Sequence, residues 1–523
     1  MIYQIYPRSW ADGNGDGIGD FDGITSRLDH LVDTLGVDAV WVSPFYPSPQ
    51  ADFGYDVADY CDVDPMFGDL ASFDRFLEAA HERGLAVIID WVPNHTSDVH
   101  PWFVESRSSL RSERRDWYVW RDGGPGGTPP NNWVSVFGGP AWTFDPASGQ
   151  WYLHSFLSSQ PDLNWRNPAV EAAMLETLRF WLDRGVDGFR IDVAQRCLKD
   201  PLFRDNPPAR LVPSEGYKLD PEYVTQDHIR DLAHPDIHGL FKRIRRLVDG
   251  YDHTADRFLV GEIHEYDWKV WGSYYGWELD ELHMPYNFAM LPAGVDPEHI
   301  RRAVEGMEAA LPTGAWPNWV MGNHDEPRVA SRYGLEQSKA AAVLLLTLRG
   351  TPTVYYGDEI GMRQVAIPDD EQQDPWGRNR PGFGRDGCRT PMQWDGGAHA
   401  GFSETEPWLP VHEHQSINVA VELGDPSSHL SLYRRLLAAR RAHQALQSGS
   451  IGFLSGWDPV NPLVFERRLG DERVVVAVNL SAKAEPCFID DAMKVIAGTD
   501  PARWDGPAGP EFTLGPWEAV VLE

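Results

Sequence analysis

At 523 residues the chain is too long for one simple core, and 42% apolar with 24% charged residues is ordinary for a globular protein of two or three domains. Its 78 acidic side chains against 46 Lys and Arg give a net charge of -32, a surface that repels phosphate backbones and anionic membranes, so nucleic acid and lipid are poor partners. The acids are spread rather than run together, which reads as a solubilising surface and not a binding tail.

Four cysteines (Cys61, Cys197, Cys388, Cys487) lie far apart without a C-x-x-C spacing. That argues against a zinc site and a disulfide framework, and suits a cytoplasmic location. No apolar run reaches the roughly 18 residues that span a bilayer. The 22 tryptophans are consistent with sugar-ring platforms, although a large core uses Trp as well.

Strand and helix patterns alternate from the start. Ile2-Tyr3-Gln4-Ile5-Tyr6-Pro7 reads as a strand with no charged-then-apolar leader before it, so the start is expected to be tight or to lack a few residues. A Gly-rich loop, Asp12 to Asp20, leads to a helix carrying Leu28, Leu31, Val32 and Leu35 on one face, then Gly36 and a strand over Val37–Val42. A helix from about Ser72 to Arg83 stops at Gly84 and feeds Leu85-Ala86-Val87-Ile88-Ile89-Asp90. Three such repeats predict a parallel sheet with right-handed crossovers.

From about 95 to 165 the rhythm breaks into a Trp-, Gly- and Pro-rich stretch, read as an irregular domain inserted after the third strand. A helix closed by Gly185 restores it, followed by the strand Gly188-Phe189-Arg190-Ile191-Asp192 and a second insertion near 198–255. Further strands are expected at Phe258–Glu262 and ending at His283, at Asn323-His324-Asp325 and at Val354-Tyr355-Tyr356-Gly357. Eight strand–helix units make a (β/α)8 TIM barrel, an α/β fold, over 1–94 and 166–449 around the insertion at 95–165. Beyond Gly449 short strands, including Val474–Leu480 and Ala519–Leu522, predict a C-terminal β-sandwich domain over 450–523.

In such a barrel, charged residues at the carboxyl ends of strands converge on one face. Here these are Asp90 with Asn94-His95, Arg190 with Asp192, Glu262, and His324-Asp325. Three carboxylates with one Arg and two His suit cleavage of a glycosidic bond: one attacks the anomeric carbon, one protonates the departing oxygen, and one holds hydroxyls.

These segments, Asp90-Trp91-Val92-Pro93-Asn94-His95, Gly188-Phe189-Arg190-Ile191-Asp192, Gly261-Glu262 and Asn323-His324-Asp325, resemble the four signature regions of the α-amylase superfamily, glycoside hydrolase family 13. Tyr3–Ser9, Gly54–Tyr60 and Arg389-Thr390-Pro391-Met392-Gln393-Trp394 are similar to phrases of its α-glucosidase and oligo-1,6-glucosidase branch. The resemblance implies Asp192 as nucleophile, Glu262 as general acid and base, and Asp325 as transition-state stabiliser. It implies sugar contacts for Tyr55, His95, His324 and Phe137, with Arg190 keeping Asp192 ionised. Asp56 and Arg389 resemble the pair that grips the non-reducing end, and Val193 the position that biases linkage.

Asp12, Asn14, Asp16 and Asp20 place hard oxygen donors among glycines, as calcium needs, although Gly23 stands where an EF-hand has Glu. The resemblance assigns one structural divalent ion here, Ca2+ with Mg2+ as the alternative, and adds the Ile18 carbonyl. The same glycines do not make a dinucleotide site, because the acids would repel a pyrophosphate, and no organic cofactor is expected. The function implied is a retaining exo-acting α-glucosidase on short α-1,4- or α-1,6-glucosides such as maltose, isomaltose or sucrose, with some transglucosylation. Its alternative is an α-glucosyl transferase or sucrose isomerase on the same site. A catalytically dead scaffold is disfavoured because all three carboxylates are present. His264 and Glu265, just after Glu262, have no assigned role.

Overall fold

Eight short strands line up in parallel: β1 Ile2–Ile5, β2 Ala39–Val42, β3 Ala86–Trp91, β4 Gly188–Ile191, β5 Phe258–Gly261, β6 Met284–Pro285, β7 Asn318–Val320 and β8 Thr351–Tyr355. Their spatial order is β7-β8-β1-β2-β3-β4-β5-β6, so the first strand sits beside the last and the sheet curls into the expected barrel. The structure is a computed structural model and describes residues 1–210, 219–251, 256–291, 296–456, 458 and 460–523.

The period-two alternation of strand side chains sorts the barrel residues into two sets. Ile2, Ala39, Trp41, Ile88, Val260 and Val320 pack together as one buried cluster inside the barrel. Tyr3, Val40, Val87, Ile89, Phe189 and Leu259 belong to the larger core, which also contains the helix side chains. Those helices bury one face each. Leu70–Glu82 buries Phe73, Phe76, Leu77 and Ala80 behind a capping box made by Asp69 and Ser72. Pro168–Asp183 buries Val170, Met174, Leu178 and Trp181, with Pro168 in its first turn. Gly188 is fixed by proximity: a Cβ there would lie 2.5 Å from the Phe258 carbonyl oxygen, so only glycine lets β4 run this close to β5.

Several boundaries differ from the sequence reading. The helix expected to bear Leu28 to Leu35 is split into an α-turn segment, Phe21–Ser26, and a wider π-type turn, His30–Leu35, which ends at Gly36 with φ 74°. β2 starts at Ala39 rather than Val37. β6 follows His283 instead of ending on it, and Asn323-His324-Asp325 lie three residues beyond β7. The inserted stretch after β3 is not wholly irregular. It holds a helix, Pro101–Ser108, and an antiparallel sheet of Trp120–Arg121, Gln150–Leu153 and Trp142–Asp145. Its own small core is Val119, Trp133, Ala141, Trp142 and Leu153. The second insertion ends earlier than expected: Ile237–Asp249 is the crossover helix to β5, burying Leu240, Phe241, Ile244 and Val248. Parts of that expected stretch, 211–218 and 252–255, lie outside the described residues.

The C-terminal strands form a six-stranded antiparallel sheet and a two-stranded one, Glu485–Phe488 with Glu511–Leu514. Val475, Ala477, Cys487, Leu514 and Val520 fill the space between them, as a sandwich requires. Among the described residues no helix is long and apolar enough to cross a membrane.

Candidate active site

Strand register decides which side chains meet. Asp90 and Arg190 are partners across β3 and β4, and Ile191 is partnered with Gly261 across β4 and β5. The ladder runs one residue further: the Asp192 N–H donates to the Trp91 carbonyl at 2.9 Å and the Glu262 N–H to the Ile191 carbonyl at 3.0 Å. Asp192 and Glu262 therefore stand side by side at the carboxyl ends of neighbouring strands.

Arg190, fully buried, joins them. Its Nη1 donates to Asp90 Oδ1 at 2.6 Å and to Asp192 Oδ1 at 2.7 Å, and its Nη2 lies 2.8 Å from Glu262 Oε2. Asp90 is completed by the Trp41 indole at 3.0 Å and the Tyr55 hydroxyl at 3.3 Å. Three carboxylates around one guanidinium titrate together. Burial pushes Asp192 well above the ordinary carboxylate range, against Arg190, and pushes Asp90 up to about 6. For Glu262, Arg190 and His264 outweigh burial and draw it down to about 2.

The two histidines are held neutral. Burial lowers His95 to about 4 and His324 to about 3. Gln4 Nε2 lies 2.8 Å from His324 Nδ1, and the Tyr55 hydroxyl 2.7 Å from His324 Nε2. His95 Nε2 is 3.1 Å from the Tyr55 carbonyl, and its Nδ1 takes the Asn94 amide at 3.1 Å. Asp325 accepts from Arg385 at 3.1 Å and Arg389 at 3.0 Å and lies 3.4 Å from His324. Although burial opposes it, the adjoining His324 first and then the Arg385 and Arg389 guanidiniums hold the Asp325 carboxyl far below its usual range.

A cavity of about 620 Å³ opens over these groups, with Asp192, Glu262 and Asp325 in its lining together with Tyr55, His95, Val193, His324 and Phe137. Phe137 packs 5.8 Å from Phe156 and 5.2 Å from Trp376, forming an aromatic wall. Val193 has φ 36° and ψ 46°, a left-handed conformation that a β-branched residue rarely adopts, and its N–H donates to Glu262 Oε2 at 2.9 Å.

Asp56 and Arg389, expected to grip the non-reducing end, do not line the cavity. Asp56 is fully buried and its oxygens are taken by Ser48 Oγ and the backbone N–H groups of Ala51 and Asp52, so it folds the loop and does not line the cavity. Arg389 is equally buried, donating to the His324 carbonyl at 2.8 Å and to Asp325. The cavity wall is instead formed by Asp52 and Arg385, 2.7 Å apart. Asp374 anchors Arg385 from behind at 2.6 Å, and Gln160 donates to Asp52 at 3.0 Å. Each missed residue stands four positions from the expected one, in the same loop. No periodicity separates them there: all four are buried, and only the folded loops show that Asp52 and Arg385 reach the cavity.

In the Gly-rich loop the donors first fold the chain. Asp12 accepts from Asn14, Gly15 and Gly17, Asn14 from Asp16, and Asp16 from Ile18. Asp20 caps the following helix through Gly23 and also accepts from Gly13 and Asn14. Among the described residues no three Asp, Glu, His or Cys side chains converge as a ready cage. The donors are nevertheless all hard oxygens, which suits a divalent cation completed by Asn14 and the Ile18 carbonyl.

A carboxylate pair at adjacent strand ends of a barrel suits cleavage of a glycosidic bond. The family profile described as alpha amylase, catalytic domain, matches residues 4–449, and the chain belongs to that family, glycoside hydrolase family 13. It is similar to a probable alpha-glucosidase of Rhizobium meliloti (strain 1021), 46% identical over 499 residues, covering 92% of this chain and 89% of that one. It is also similar to an oligo-1,6-glucosidase of Heyndrickxia coagulans, 38% identical over 566 residues, covering 100% and 98%. Among solved structures, an alpha-glucosyl transfer enzyme, XgtA, superposes with a TM-score of 0.92 at 40% identity, covering 100% and 98%. The trehalulose synthase MutB of Pseudomonas mesoacidophila does so with a TM-score of 0.87 at 33% identity, again covering 100% and 98%. The chain is thus a glycoside hydrolase of the α-glucosidase branch.

Proposed function

We propose that this enzyme is a retaining exo-α-glucosidase that releases terminal glucose from short α-glucosides through a covalent glucosyl–Asp192 intermediate. The observation that carries it is the single guanidinium of Arg190 gripping both Asp192 and Glu262. Sharing one guanidinium holds the two carboxylates near each other, which supports the short separation of a double displacement over the wider one of inversion. Asp192 attacks the anomeric carbon while Glu262 protonates the departing oxygen, and water then enters with Glu262 as base.

The Asp52–Arg385 pair beside Asp325 supports recognition of one terminal glucose, with neutral His95 and His324 as hydroxyl partners. Maltose, isomaltose and sucrose are the substrates proposed. Four free cysteines fit a reducing, cytoplasmic location. We also propose a structural Ca2+ at Asp12, Asn14, Asp16, Ile18 and Asp20, supported by the all-oxygen donor chemistry of that loop. The second reading, glucosyl transfer or sucrose isomerisation, is favoured by similarity to XgtA and MutB.

The test is product analysis by NMR on maltose, isomaltose and sucrose at low and high concentration. Glucose released first as the α-anomer supports the proposal, and β-glucose first would exclude it. Transfer products or sucrose isomers at low substrate would establish the second reading.

A further inference from the structure

His264 has a built position that the scheme above does not use. It lies two residues after Glu262, just past the end of β5. Its Nε2 is 2.9 Å from Glu262 Oε1. Its backbone N–H is fixed by Gln195 Oε1 at 2.9 Å, and Gln195 is held in turn by the Tyr274 hydroxyl at 3.2 Å. The ring stacks on Phe288 with centroids 4.7 Å apart and planes 16° from parallel. It also lines the same cavity as Glu262.

The two oxygens of Glu262 are not equivalent. Oε2 receives Arg190 Nη2 and the Val193 N–H, two donors that cannot take up a proton. An acid proton therefore resides on Oε1, the oxygen that faces an imidazole, and an imidazole can both give and accept one. The charged and titratable groups around His264 are Glu262 beside it, Arg190 from β4, Asp325 and Glu326 after β7, and His299 and Arg302 from the helix Pro297–Ala310 across the cavity.

We propose that His264 is the positioning residue that supplies and recovers the proton of Glu262, an inference that rests on Glu262 being the general acid and base. In the first half-reaction the proton passes from imidazolium Nε2 to Glu262 Oε1 and on to the glycosidic oxygen, as the bond from that oxygen to the anomeric carbon breaks and the bond from Asp192 forms. In the second, water gives one proton to Oε1, which returns it to Nε2, while the water oxygen bonds the anomeric carbon and Asp192 leaves. No other reactant is needed.

Two measurements test this. The first compares pH profiles of kcat/KM for maltose, whose leaving group needs a proton, with those for α-glucosyl fluoride, whose leaving group needs little, in wild type and His264→Gln. The variant is expected to lose roughly 10- to 100-fold on maltose and move its alkaline limb, with a change within about threefold on the fluoride. Superimposable maltose profiles, or equal losses on both substrates, would overturn the proposal. The second needs no His264 variant: the His264 imidazole is titrated by NMR in wild type and in Glu262→Gln. Its midpoint is expected to fall when the carboxylate is removed, and an unchanged midpoint would overturn the pairing whether or not the wild type turns over. Absence of turnover on both sugars counts against the α-glucosidase reading and is distinguished in this way from failure of the His264 assignment.

Discussion

Arg385 Nη2 lies 2.7 Å from Asp52 Oδ1, and the same guanidinium reaches Asp325 Oδ1 through Nη1 at 3.1 Å. One cation thus ties a wall of the cavity to one of the three carboxylates at the strand ends. Hydrogen bonds to charged groups contribute about 1.5–3 kcal/mol each. Asp52→Asn is expected to lower kcat/KM for maltose by roughly 10- to 150-fold, mostly through KM. Asp56→Asn is expected to lower the melting temperature instead, since Asp56 holds its own loop together. Steady-state kinetics beside thermal melts separate the two, and a reversed pattern would restore Asp56 to the sugar.

Asp192→Asn is expected to remove activity on every α-glucoside by several orders of magnitude while the protein stays folded. Glu262→Gln is expected to fail on maltose but to retain glucosylation by α-glucosyl fluoride, because that leaving group needs little protonation. Mass spectrometry of Glu262→Gln mixed with the fluoride is expected to show one added glucosyl group. Wild-type-like maltose turnover by Asp192→Asn would exclude it as nucleophile.

These two carboxylates were legible in the sequence because each ends a short apolar run followed by a turn, a pattern that strand alternation explains. The barrel was legible for the same reason, through repeated strand–helix units. The loops were not. Asp52 and Arg385 sit among other charges in segments without period, and their selection depends on a contact between positions 333 residues apart. The split of the first helix at His30 also left no mark, because Leu28, Leu31 and Leu35 are buried in either winding.

Val193 combines a left-handed backbone with a place in the cavity wall next to Asp192. Its methyl groups are expected to crowd a rigid α-1,4 aglycone more than an α-1,6 one, which has an extra rotatable bond. A methyl-sized contact contributes about 1–3 kcal/mol, or roughly 10- to 200-fold in preference. Isomaltose is therefore expected to be accepted, and Val193→Thr to shift the ratio of rates towards maltose. An unchanged ratio would remove Val193 as a selector.

Glu422 is buried, accepts the Leu430 N–H at 3.0 Å, and is raised by burial to about 8, with Glu359 adding repulsion. Its folded pKa lies above its unfolded one, so the native state binds the extra proton and stability falls as pH rises from about 4.5 to about 8. Glu422→Gln is expected to leave the melting temperature unchanged at pH 4 and to raise it at pH 8. The gain is at most a few kcal/mol, since a tenfold change in proton affinity is worth about 1.4 kcal/mol. Equal melting curves at pH 8 would show that Glu422 is accommodated as a carboxylate.

Chelation tests the Gly-rich loop. Treatment with EGTA is expected to lower the melting temperature, and added Ca2+ to restore it, with Asp12→Ala insensitive to both. A wild type indifferent to chelator and containing no divalent metal by elemental analysis would remove the ion.

The bond between Gln4 and His324 spans 320 residues, and β1 pairs with β8 as well as with β2. On the ribosome the opening strand emerges long before its partner β8 exists. At about 5–20 residues per second it waits tens of seconds with the backbone N–H and C=O groups of one edge unpaired. Chaperone capture of nascent chains is therefore expected to centre on that first segment, and hydrolytic competence to appear abruptly, only after the eighth strand has left the exit tunnel.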